Sequence, residues 1–424
     1  DNPALTLGLA MGLGMLSQVI ARKIYLPGIV VLLAGGVIFG PDGLNWIRPA
    51  SMGSALQIIV GFAVAVILFE GGMNLRISRI KREQAAIRGL ITIGALITLI
   101  GGTLSTLLFL GWDFRTAILF GTLIIVTGPT VISPLLKRVR IHHGVSTVLE
   151  AEGILLDAIG AIVAVVALEI AISPSGLSLV KGLFHIISRL AVGAVLGIVG
   201  GALLTLLFRI RKLVPEGLEN VFILSWVFAL FQLANAASPE SGIAAVTVAG
   251  MTIGNSNTYI QRELLEFKEQ LTVLLIGMLF ILLAADVRIA DIQMLGLKGI
   301  LTVLFLMVVI RPLSVFSATI HSDLDTRHKL LLSWIAPRGI VAAAVASLFA
   351  FELNQHGYDG AQLRALVFLL ITMTVLSAGI TGGWISSLLG LRRKSESGWI
   401  ILGAHEVARL LACLVYILDL VDDS

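Results

Sequence analysis

The sequence has few charged residues and almost no cysteine. Only 13% of its 424 residues are charged, whereas 57% are hydrophobic. Soluble chains carry about 25% charged residues, so a soluble globular protein is excluded. The mean hydropathy of +0.99 is typical of a chain that crosses a membrane many times. The single cysteine, Cys413, excludes a disulfide framework within the chain.

Neither nucleic-acid binding nor a resident metal is expected. The net charge of +4 comes from basic residues that lie in short loops between apolar stretches, as membrane topology requires. Such a distribution is not a basic patch for nucleic acid. His142 and His143 are neighbours in one loop, without Cys or Asp at the spacing of a metal site. The lipid bilayer is therefore the first partner to expect.

Long apolar stretches predict an all-α polytopic membrane protein with about thirteen transmembrane helices. A helix that crosses a membrane needs about 20 apolar residues. Such stretches lie at 4–21, 25–41, 55–75, 89–111, 116–136, 145–172, 179–208, 218–236, 240–256, 269–286, 296–319, 328–351 and 362–390. They place a transmembrane domain at residues 1–391.

The loops between these stretches differ in their content of Lys and Arg. If the N-terminus is outside, the cytoplasmic loops hold 20 of the 30 basic residues and the opposite loops hold 6. Cytoplasmic loops of membrane proteins are enriched in basic residues, so this orientation is favoured. With an odd number of spans the C-terminus is then cytoplasmic, and we expect a multi-pass protein of a prokaryotic plasma membrane.

Two of the predicted spans are interrupted by proline and glycine. The fifth contains TGPT at 127–130 and the twelfth contains APRG at 336–339. Proline removes a backbone donor and clashes with the preceding turn, so each break either kinks a helix or divides it into two half-helices. Broken helices at corresponding places in two halves of a chain are typical of transporters built from inverted repeats. The offset of seven spans fits repeats of spans 1–6 and 8–13.

Within the sixth span, the segment VLEAEGILLDAIGAI at 148–162 carries three acidic residues. A carboxylate inside a membrane costs several kcal/mol unless it is paired, hydrated or neutral. Glu152 and Asp157 are five residues apart, about 140° around a helix, so both can border one water-filled crevice. Asp157 is the candidate that binds a small cation when deprotonated and releases it when protonated; the alternative is a buried Asp satisfied by hydroxyl groups. Glu150 is interpreted as a gate-lining or interfacial residue.

Three arginines lie within predicted spans. Arg311 is deep in span eleven and, because arginine keeps its proton in proteins, it is a permanent countercharge; we predict an ion pair with Glu152. Arg338 follows the break in span twelve, where it can compensate the carbonyl end of a half-helix. Glu70, at the end of span three, either pairs with Arg338 or only reaches the interface. Arg189 in span seven is interpreted as a snorkelling or helix-pairing residue.

The composition changes after Lys394. Residues 392–398 predict a linker, and 399–424 predict a partial α/β Rossmann-like cytoplasmic regulatory domain, with a strand that ends at Gly403. Gly403 begins an incomplete dinucleotide-binding fingerprint, and Asp422 falls about 20 residues later, where an acid that binds ribose is expected. No cofactor is required on this interpretation, but a regulatory nucleotide at Gly403 and Asp422 is a hypothesis.

Five motifs in order resemble those of the cation/proton antiporters of the NhaP and sodium/hydrogen exchanger type. They are LFEGGMNL (68–75), TGPTVISPLL (127–136), EGILLDAIGA (152–161), VIRPLSVF (309–316) and WIAPRGIVAAAVA (334–346). The resemblance covers about residues 5–390. It implies a thirteen-span fold with a dimerisation domain and a six-helix core domain, a homodimer, and an elevator-like movement of the core.

The resemblance also implies roles for individual residues. Asp157 matches the family's essential aspartate, and Glu152 and Arg311 match a glutamate and the arginine that pairs with it. Thr127 matches a residue that lines the ion site, and Thr130 of the same motif is a further candidate ligand. These residues would carry a cation/proton site without enzymatic activity.

The activity implied is exchange of Na⁺ or K⁺ for H⁺ by alternating access, with cation and proton competing at Asp157. If Arg311 neutralises Glu152, one principal carboxylate remains and an electroneutral cycle is favoured. The sequence departs from the family where Gly128 replaces the usual Asp and Leu156 the usual Asn, which leaves the choice between Na⁺ and K⁺ open. The alternatives are a nucleotide-regulated K⁺ efflux channel or a K⁺-selective transporter, and a transporter of organic solutes.

Overall fold

The structure is a computed structural model that describes most of the transmembrane domain. It describes residues 2–24, 26–128, 132, 136, 143–172, 179–210, 215, 218–256, 261–356 and 359–391. Thr130, the predicted linker 392–398 and the predicted Rossmann-like segment 399–424, with Gly403 and Asp422, lie outside the described residues. The predictions made for them stay predictions.

All the regular elements of the described residues are helices. They are α1 (Pro3–Lys23), α2 (Gly28–Phe39), α3 (Ser54–Asn74), α4 (Ile77–Arg82), α5 (Gln84–Phe109), α6 (Phe114–Leu123), α7 (His143–Ile172), α8 (Leu179–Arg209), α9 (Glu219–Ala237), α10 (Ser241–Gly254), α11 (Gln261–Asp286), α12 (Ile289–Ala318), α13 (Thr326–Trp334), α14 (Ile340–Gln355) and α15 (Gly360–Leu388). A π-helical turn interrupts α5 at Leu90–Gly94 and α12 at Leu306–Ile310. A short 3₁₀ turn lies at Pro49–Met52.

Helix starts follow the capping rules of the sequence. Asn2 accepts hydrogen bonds from the backbone at the start of α1, Asp113 does so at the start of α6, and Asp359 at the start of α15. Side chains of this kind satisfy amide groups that have no partner within the helix. These caps fix where three of the helices begin in the loops.

Eight of the described helices are long and apolar enough to cross a membrane: α1, α3, α5, α7, α8, α9, α12 and α15. Five shorter apolar stretches lie in α2, α6, α10, α11 and α14. The prediction of an all-helical multi-pass membrane protein is therefore confirmed. The number thirteen requires the five shorter stretches to cross the membrane as well, and it stays a prediction.

The helices pack as two bundles. In the scaffold bundle, which consists of α1–α3 and α8–α11, α8 packs on α10, α10 packs on α3, and α1 and α2 pack on α11. In the core bundle, which consists of α4–α7 and α12–α15, α5 packs on α6, and α15 packs on α12 and α14. Contacts between the bundles are made by α7 with α8 and α10, and by α14 with α3 and α11.

Glycines permit a close helix contact within the scaffold bundle. A Cβ atom added at Gly193 of α8 would lie 2.6 Å from the carbonyl oxygen of Ser241, and one at Gly197 would lie 2.5 Å from that of Ala245. No side chain fits at these distances, so the backbones of α8 and α10 approach one another as small residues allow in membranes.

A candidate ion site at two crossing helix breaks

The two helix breaks meet inside the core bundle. α6 ends at Leu123 and is followed by non-helical residues up to 128, while residues 335–339 separate α13 from α14. A Cβ atom built on Gly128 would lie 2.3 Å from the Cα atom of Gly339. Only glycine at both positions permits this approach, so the backbones of the two breaks are in direct contact. In the predicted span twelve, α13 and α14 are therefore two half-helices separated by non-helical residues and not one kinked helix.

Arg338 occupies the crossing point. Its side chain is buried, and its Nη1 donates to the carbonyl oxygens of Ile125 and Val126 at 3.4 Å each. Its backbone N–H donates to the hydroxyl of Thr374 on α15 at 3.3 Å. The guanidinium therefore lies at the carbonyl end of α6, where the helix dipole favours positive charge. This is the placement that the sequence predicts for Arg338.

The structure places Glu70 at a contact within the scaffold bundle, and its pairing with Arg338 stays a prediction. Glu70 lies at the end of α3 in the scaffold bundle, where its carboxylate accepts a hydrogen bond from the hydroxyl of Thr272 on α11. Arg338 is held at the crossing by carbonyl groups. The helices α3 and α14 pack against each other. The sequence alone does not specify which neighbours the side chains of Glu70 and Arg338 contact.

Glu152 and Arg311 form a buried ion pair between α7 and α12. Nη1 of Arg311 lies 2.5 Å from Oε1 of Glu152, and Nη2 lies 2.9 Å from Oε2. The side chains are 3% and 7% exposed respectively, and Nη2 also donates to the carbonyl oxygen of Leu332 at 3.2 Å. Two parallel bonds of this kind are the strongest arrangement that arginine makes with a carboxylate. The predicted pair is thus present in the structure.

The π-helical turn of α12 immediately precedes this arginine. It covers Leu306–Ile310 and is followed by Arg311 and then by Pro312, which lacks a backbone N–H. Such turns insert one residue into an α-helix and are frequent at functional sites. The irregular turn changes the face that Arg311 presents relative to a regular helix, and the arginine meets α7 and the end of α13.

Asp157 differs from Glu152 in its surroundings. It is 1% exposed, and its Oδ1 has no hydrogen-bond partner among the described residues. Arg338 is near enough to act on it electrostatically. An isolated buried carboxylate is strongly disfavoured by loss of hydration, so the site calls for a positively charged ligand, either a cation or a proton.

Thr127 joins the break after α6 to the helix that bears Asp157. Its hydroxyl lies 3.5 Å from the carbonyl oxygens of Glu152 and Gly153, and it is buried. Gly153 is four residues before Asp157, which is about one helical turn. The structure therefore brings Thr127 close to the acidic segment of α7, as the motif implies, while Thr130 lies outside the described residues.

Glu150 lies two residues before Glu152, nearer the start of α7. It is half-buried and within 3.5 Å of the hydroxyl of Ser146. Among the described residues no group of three or more His, Cys, Asp or Glu side chains could hold a metal ion. The residues that the structure gathers at the crossing are thus Thr127, Glu152, Asp157, Arg311 and Arg338; Glu70 and Glu150 are placed outside it.

Two ion pairs between the bundles were not predicted from the sequence. Arg189 of α8 contacts Glu169 of α7, and Arg364 of α15 contacts Asp286 of α11. A signal was available for Arg189, since an arginine within an apolar span needs a partner. Glu169 in the neighbouring span is the natural one, because antiparallel helices joined by a short loop bring such residues together.

Two interrupted helices that cross beside a buried carboxylate, inside an all-helical membrane protein, define a secondary transporter of ions. Interrupted helices leave backbone carbonyl groups outside the helical hydrogen-bond pattern, and such groups, together with a carboxylate, are what ion transporters use to hold cations. No described residue of the site has the arrangement of a nucleophile and a base that covalent catalysis needs.

Comparison with known proteins identifies the family. The chain matches the family described as "Sodium/hydrogen exchanger, transmembrane" over residues 8–390. It is 29% identical over 416 residues to Na(+)/H(+) antiporter 1 of Methanocaldococcus jannaschii, with 93% of each chain covered. It is 27% identical over 377 residues to K(+)/H(+) antiporter NhaP2 of Shewanella oneidensis, with 88% of this chain and 64% of that protein covered.

The fold gives the same result. The structure of the sodium proton antiporter MjNhaP1 from Methanocaldococcus jannaschii at pH 8 superimposes with a TM-score of 0.81 at 25% identity, covering 91% of this chain and 98% of that chain. The chain therefore belongs to the sodium/hydrogen exchanger family. It is a membrane antiporter of monovalent cations and protons and not an enzyme, and the channel alternative finds no support.

Proposed function

We propose that a monovalent cation and a proton compete for Asp157, which alternately faces the two sides of the membrane. The observation that carries this proposal is the environment of the carboxyl group: Asp157 is 1% exposed and its Oδ1 has no hydrogen-bond partner among the described residues, although Glu152 on the same helix is paired with Arg311. A carboxylate in this environment can exchange a proton for a cation without breaking hydrogen bonds to the described residues.

The stoichiometry follows from the charges at the crossing. Arg311 neutralises Glu152 through two hydrogen bonds, so this pair carries no net charge through the cycle. Asp157 is then the one carboxyl group of the crossing that exchanges its ligand. One cation for one proton is an electroneutral cycle, which we propose for this chain.

The choice between Na⁺ and K⁺ depends on few ligands. Gly128 contributes no side chain at the break, where it contacts Gly339, so the neutral ligand that we propose beside Asp157 is the hydroxyl group of Thr127. We propose Thr130 as a further ligand from the same motif. A site with one carboxylate and neutral oxygens suits either ion, and the relatives named above include both a Na⁺/H⁺ and a K⁺/H⁺ antiporter.

The movement that exposes the site to alternate sides is proposed to be a displacement of the core bundle against the scaffold bundle. Asp157, Glu152, Arg311 and Arg338 all lie in the core bundle, so they can move as a unit. The proposed architecture has thirteen spans in inverted repeats, a homodimer formed through the scaffold bundle, a cytoplasmic C-terminus in a prokaryotic plasma membrane, and a regulatory segment at 399–424 that binds a nucleotide.

The test is exchange in proteoliposomes with the same pH on both sides of the membrane. Cation uptake and proton release are measured against the concentration of Na⁺ or K⁺ at several pH values. Competition at one site requires the cation KM to rise by about tenfold per pH unit where Asp157 is mostly protonated, while the maximal rate stays nearly constant. A maximal rate that collapses at low pH with an unchanged KM would place the proton at a separate site.

A further inference from the structure

Arg189 lies at the boundary between the two bundles, away from the ion site. Its Nη2 lies 2.8 Å from Oε1 and 2.9 Å from Oε2 of Glu169. Arg189 belongs to α8 of the scaffold bundle and Glu169 to α7 of the core bundle, the helix that carries Asp157. The arginine side chain is 7% exposed, whereas that of Glu169 is 41% exposed. The pair therefore connects a fixed, buried cation to a carboxylate on the bundle that moves.

The second terminal nitrogen of this guanidinium differs from the first. Nη1 of Arg189 is buried and has no hydrogen-bond partner in the described part of the chain. A second carboxylate, Glu240, is close enough to interact electrostatically with both Arg189 and Glu169. Glu240 lies at the junction of α9 and α10, so it belongs to the scaffold bundle together with Arg189.

The backbone of Glu240 is held in an unusual conformation. Its φ angle is +62°, in the left-handed region that residues other than glycine seldom adopt. The next residue, Ser241, is buried and donates its hydroxyl to the carbonyl oxygen of Ala234 at 2.7 Å. These contacts fix the junction, and strained residues of this kind persist where the surrounding structure enforces them. The carbonyl oxygen of Ser241 lies against Gly193, about one turn after Arg189 on α8, so the junction that carries Glu240 adjoins the part of α8 that carries the arginine.

A second ion pair spans the same boundary. Nη1 of Arg364 on α15, in the core bundle, lies 2.5 Å from Oδ2 of Asp286 at the end of α11, in the scaffold bundle. Glu169 lies near the end of α7, Asp286 at the end of α11 and Arg364 near the start of α15. The core bundle is therefore attached to the scaffold bundle by two salt bridges, which a displacement of the core would strain.

We propose that Arg189 is a partner-switching latch: it holds Glu169 in the conformation of this structure and passes to Glu240 when the core bundle moves. The inference rests on the proposed movement of the core. When α7 carries Glu169 away, Arg189 stays buried, and a buried charge without a partner is strongly unfavourable. Glu240 offers the replacement on the same bundle. Each carboxylate thereby stabilises a different end state of the transport cycle.

The two carboxylates are therefore expected to have opposite effects. Neutralising Glu169 removes the partner of the present state and shifts the protein toward the other state. Neutralising Glu240 removes the partner of the other state and shifts the protein toward the present one. Because the pairs are partly exposed, we expect each change to alter the population ratio by about three- to tenfold.

The experiment measures the distance between two spin labels in nanodiscs. In a Cys413→Ser background, cysteines are introduced at Phe184 of α8 and Leu108 of α5, which are exposed residues of the scaffold and core bundles. Labelled protein is diluted with unlabelled protein, so that only distances within one chain are seen. The distance distribution is compared for Glu169→Gln, Glu240→Gln, the double variant, and the control Asp323→Asn, an exposed carboxylate between α12 and α13.

The expected result is a smaller population at the distance of this structure for Glu169→Gln, a larger one for Glu240→Gln, and no change for Asp323→Asn. Shifts in the same direction, or none, would overturn the latch. Glu169→Asp keeps the charge and should retain most of the wild-type distribution. Exchange by the same samples separates the two proposals, since absence of exchange in the unmutated protein would refute the transport mechanism whatever the distances show.

Discussion

Glu152 and Asp157 lie five residues apart on α7 and are both almost fully buried, yet their surroundings are opposite. Glu152 has two bonds to Arg311 and is part of a rigid contact between α7 and α12. In the part of the chain that the structure describes, Oδ1 of Asp157 has no hydrogen-bond partner, and Arg338 acts on the carboxylate electrostatically. Burial alone therefore does not distinguish these two carboxylates, whereas the hydrogen bonds that each of them makes do.

The largest effect is expected from Asp157→Asn, which removes the exchangeable charge and keeps the shape. Exchange should fall to the level of empty liposomes, while the melting temperature in detergent stays within a few degrees of that of the unmutated protein. The physical reason is that the amide cannot bind either a proton or a cation in the way that a carboxylate does. Cation-induced dequenching of a pH-sensitive dye measures the exchange.

The matched control is Asp323→Asn, which makes the same chemical change at an exposed position. It should retain full exchange. If Asp157→Asn retains exchange as well, the contrast between the two carboxylates of α7 has no functional meaning and another group carries the ions.

The second effect is on stability. Glu152→Ala leaves Arg311 buried without its partner, and breaking a buried ion pair costs about 3–5 kcal/mol. Asp157→Ala breaks no such pair, so it should melt at a higher temperature than Glu152→Ala. Thermal unfolding of both variants in the same detergent compares them. Equal melting temperatures would mean that the Glu152–Arg311 contact adds nothing to the stability of the core bundle.

A double substitution tests the same contact from the other side. Replacing a buried ion pair by apolar side chains of similar volume is often neutral, so Glu152→Leu with Arg311→Met should recover part of the stability that Glu152→Ala loses. A double variant less stable than Glu152→Ala would show that the site depends on the charges themselves and not on the pairing.

Much of this arrangement can be predicted from the sequence, because the membrane makes buried charges rare. An arginine in VVIRPL and a glutamate in LEAEGIL have few partners to choose from, so the pair between Glu152 and Arg311 follows from the high cost of an isolated charge. The breaks at TGPT and APRG follow from the chemistry of proline and glycine. The motif order then supplies the family.

The contacts that cannot be predicted depend on side-chain direction. Glu70 lies on α3, which packs against α14, and its carboxylate contacts Thr272 of α11. No periodicity in the sequence specifies the contact with Thr272. The pairs between the bundles require knowledge of which helices adjoin, which the sequence does not contain. The left-handed conformation of Glu240 is likewise invisible, since nothing in a glutamate favours it.

An intermediate effect is expected at the crossing beside Asp157. Gly128→Ala places a methyl group against the Cα atom of Gly339, and because backbone cannot rotate away, the two breaks must separate. Overpacking of this kind costs about 1–3 kcal/mol, and exchange should fall because the crossing no longer has its geometry. Gly383→Ala on α15 is the control, since a methyl group there meets open space and alanine favours helix.

This result bears on ion selectivity as well. A carboxylate at position 128, the residue that the family usually carries, would have to pass the same backbone contact with Gly339. If Gly128→Ala melts like the unmutated protein and transports normally, the contact is loose, and Gly128→Asp then becomes a direct test of whether a second carboxylate changes the ratio of the KM values for Na⁺ and K⁺.

The smallest effect concerns a carboxylate that is paired but not buried. Asp42, in the loop after α2, accepts a hydrogen bond from the backbone N–H of Ile289 at 2.6 Å and one from Nη1 of Arg288 at 2.9 Å. The hydrogen bond from Ile289, followed by that from Arg288, lowers the pKa of Asp42 below its ordinary value of 3.8. The loop contact therefore favours the ionised form.

The dependence on pH follows from the sign of this shift. A carboxyl group with a lower pKa in the folded state stabilises the protein above its unfolded pKa, and the contribution is lost as the pH falls through the folded value. Asp42→Asn should therefore lower stability by less than about 1 kcal/mol at pH 7, since the pair is largely exposed, and the difference should shrink as the pH falls from 4 to 3. Melting curves at these pH values, in low and high salt, measure it. A stability difference that stays constant down to pH 3 would show that Asp42→Asn destabilises the loop through its shape and hydrogen bonding. The negative charge of Asp42 would then contribute nothing.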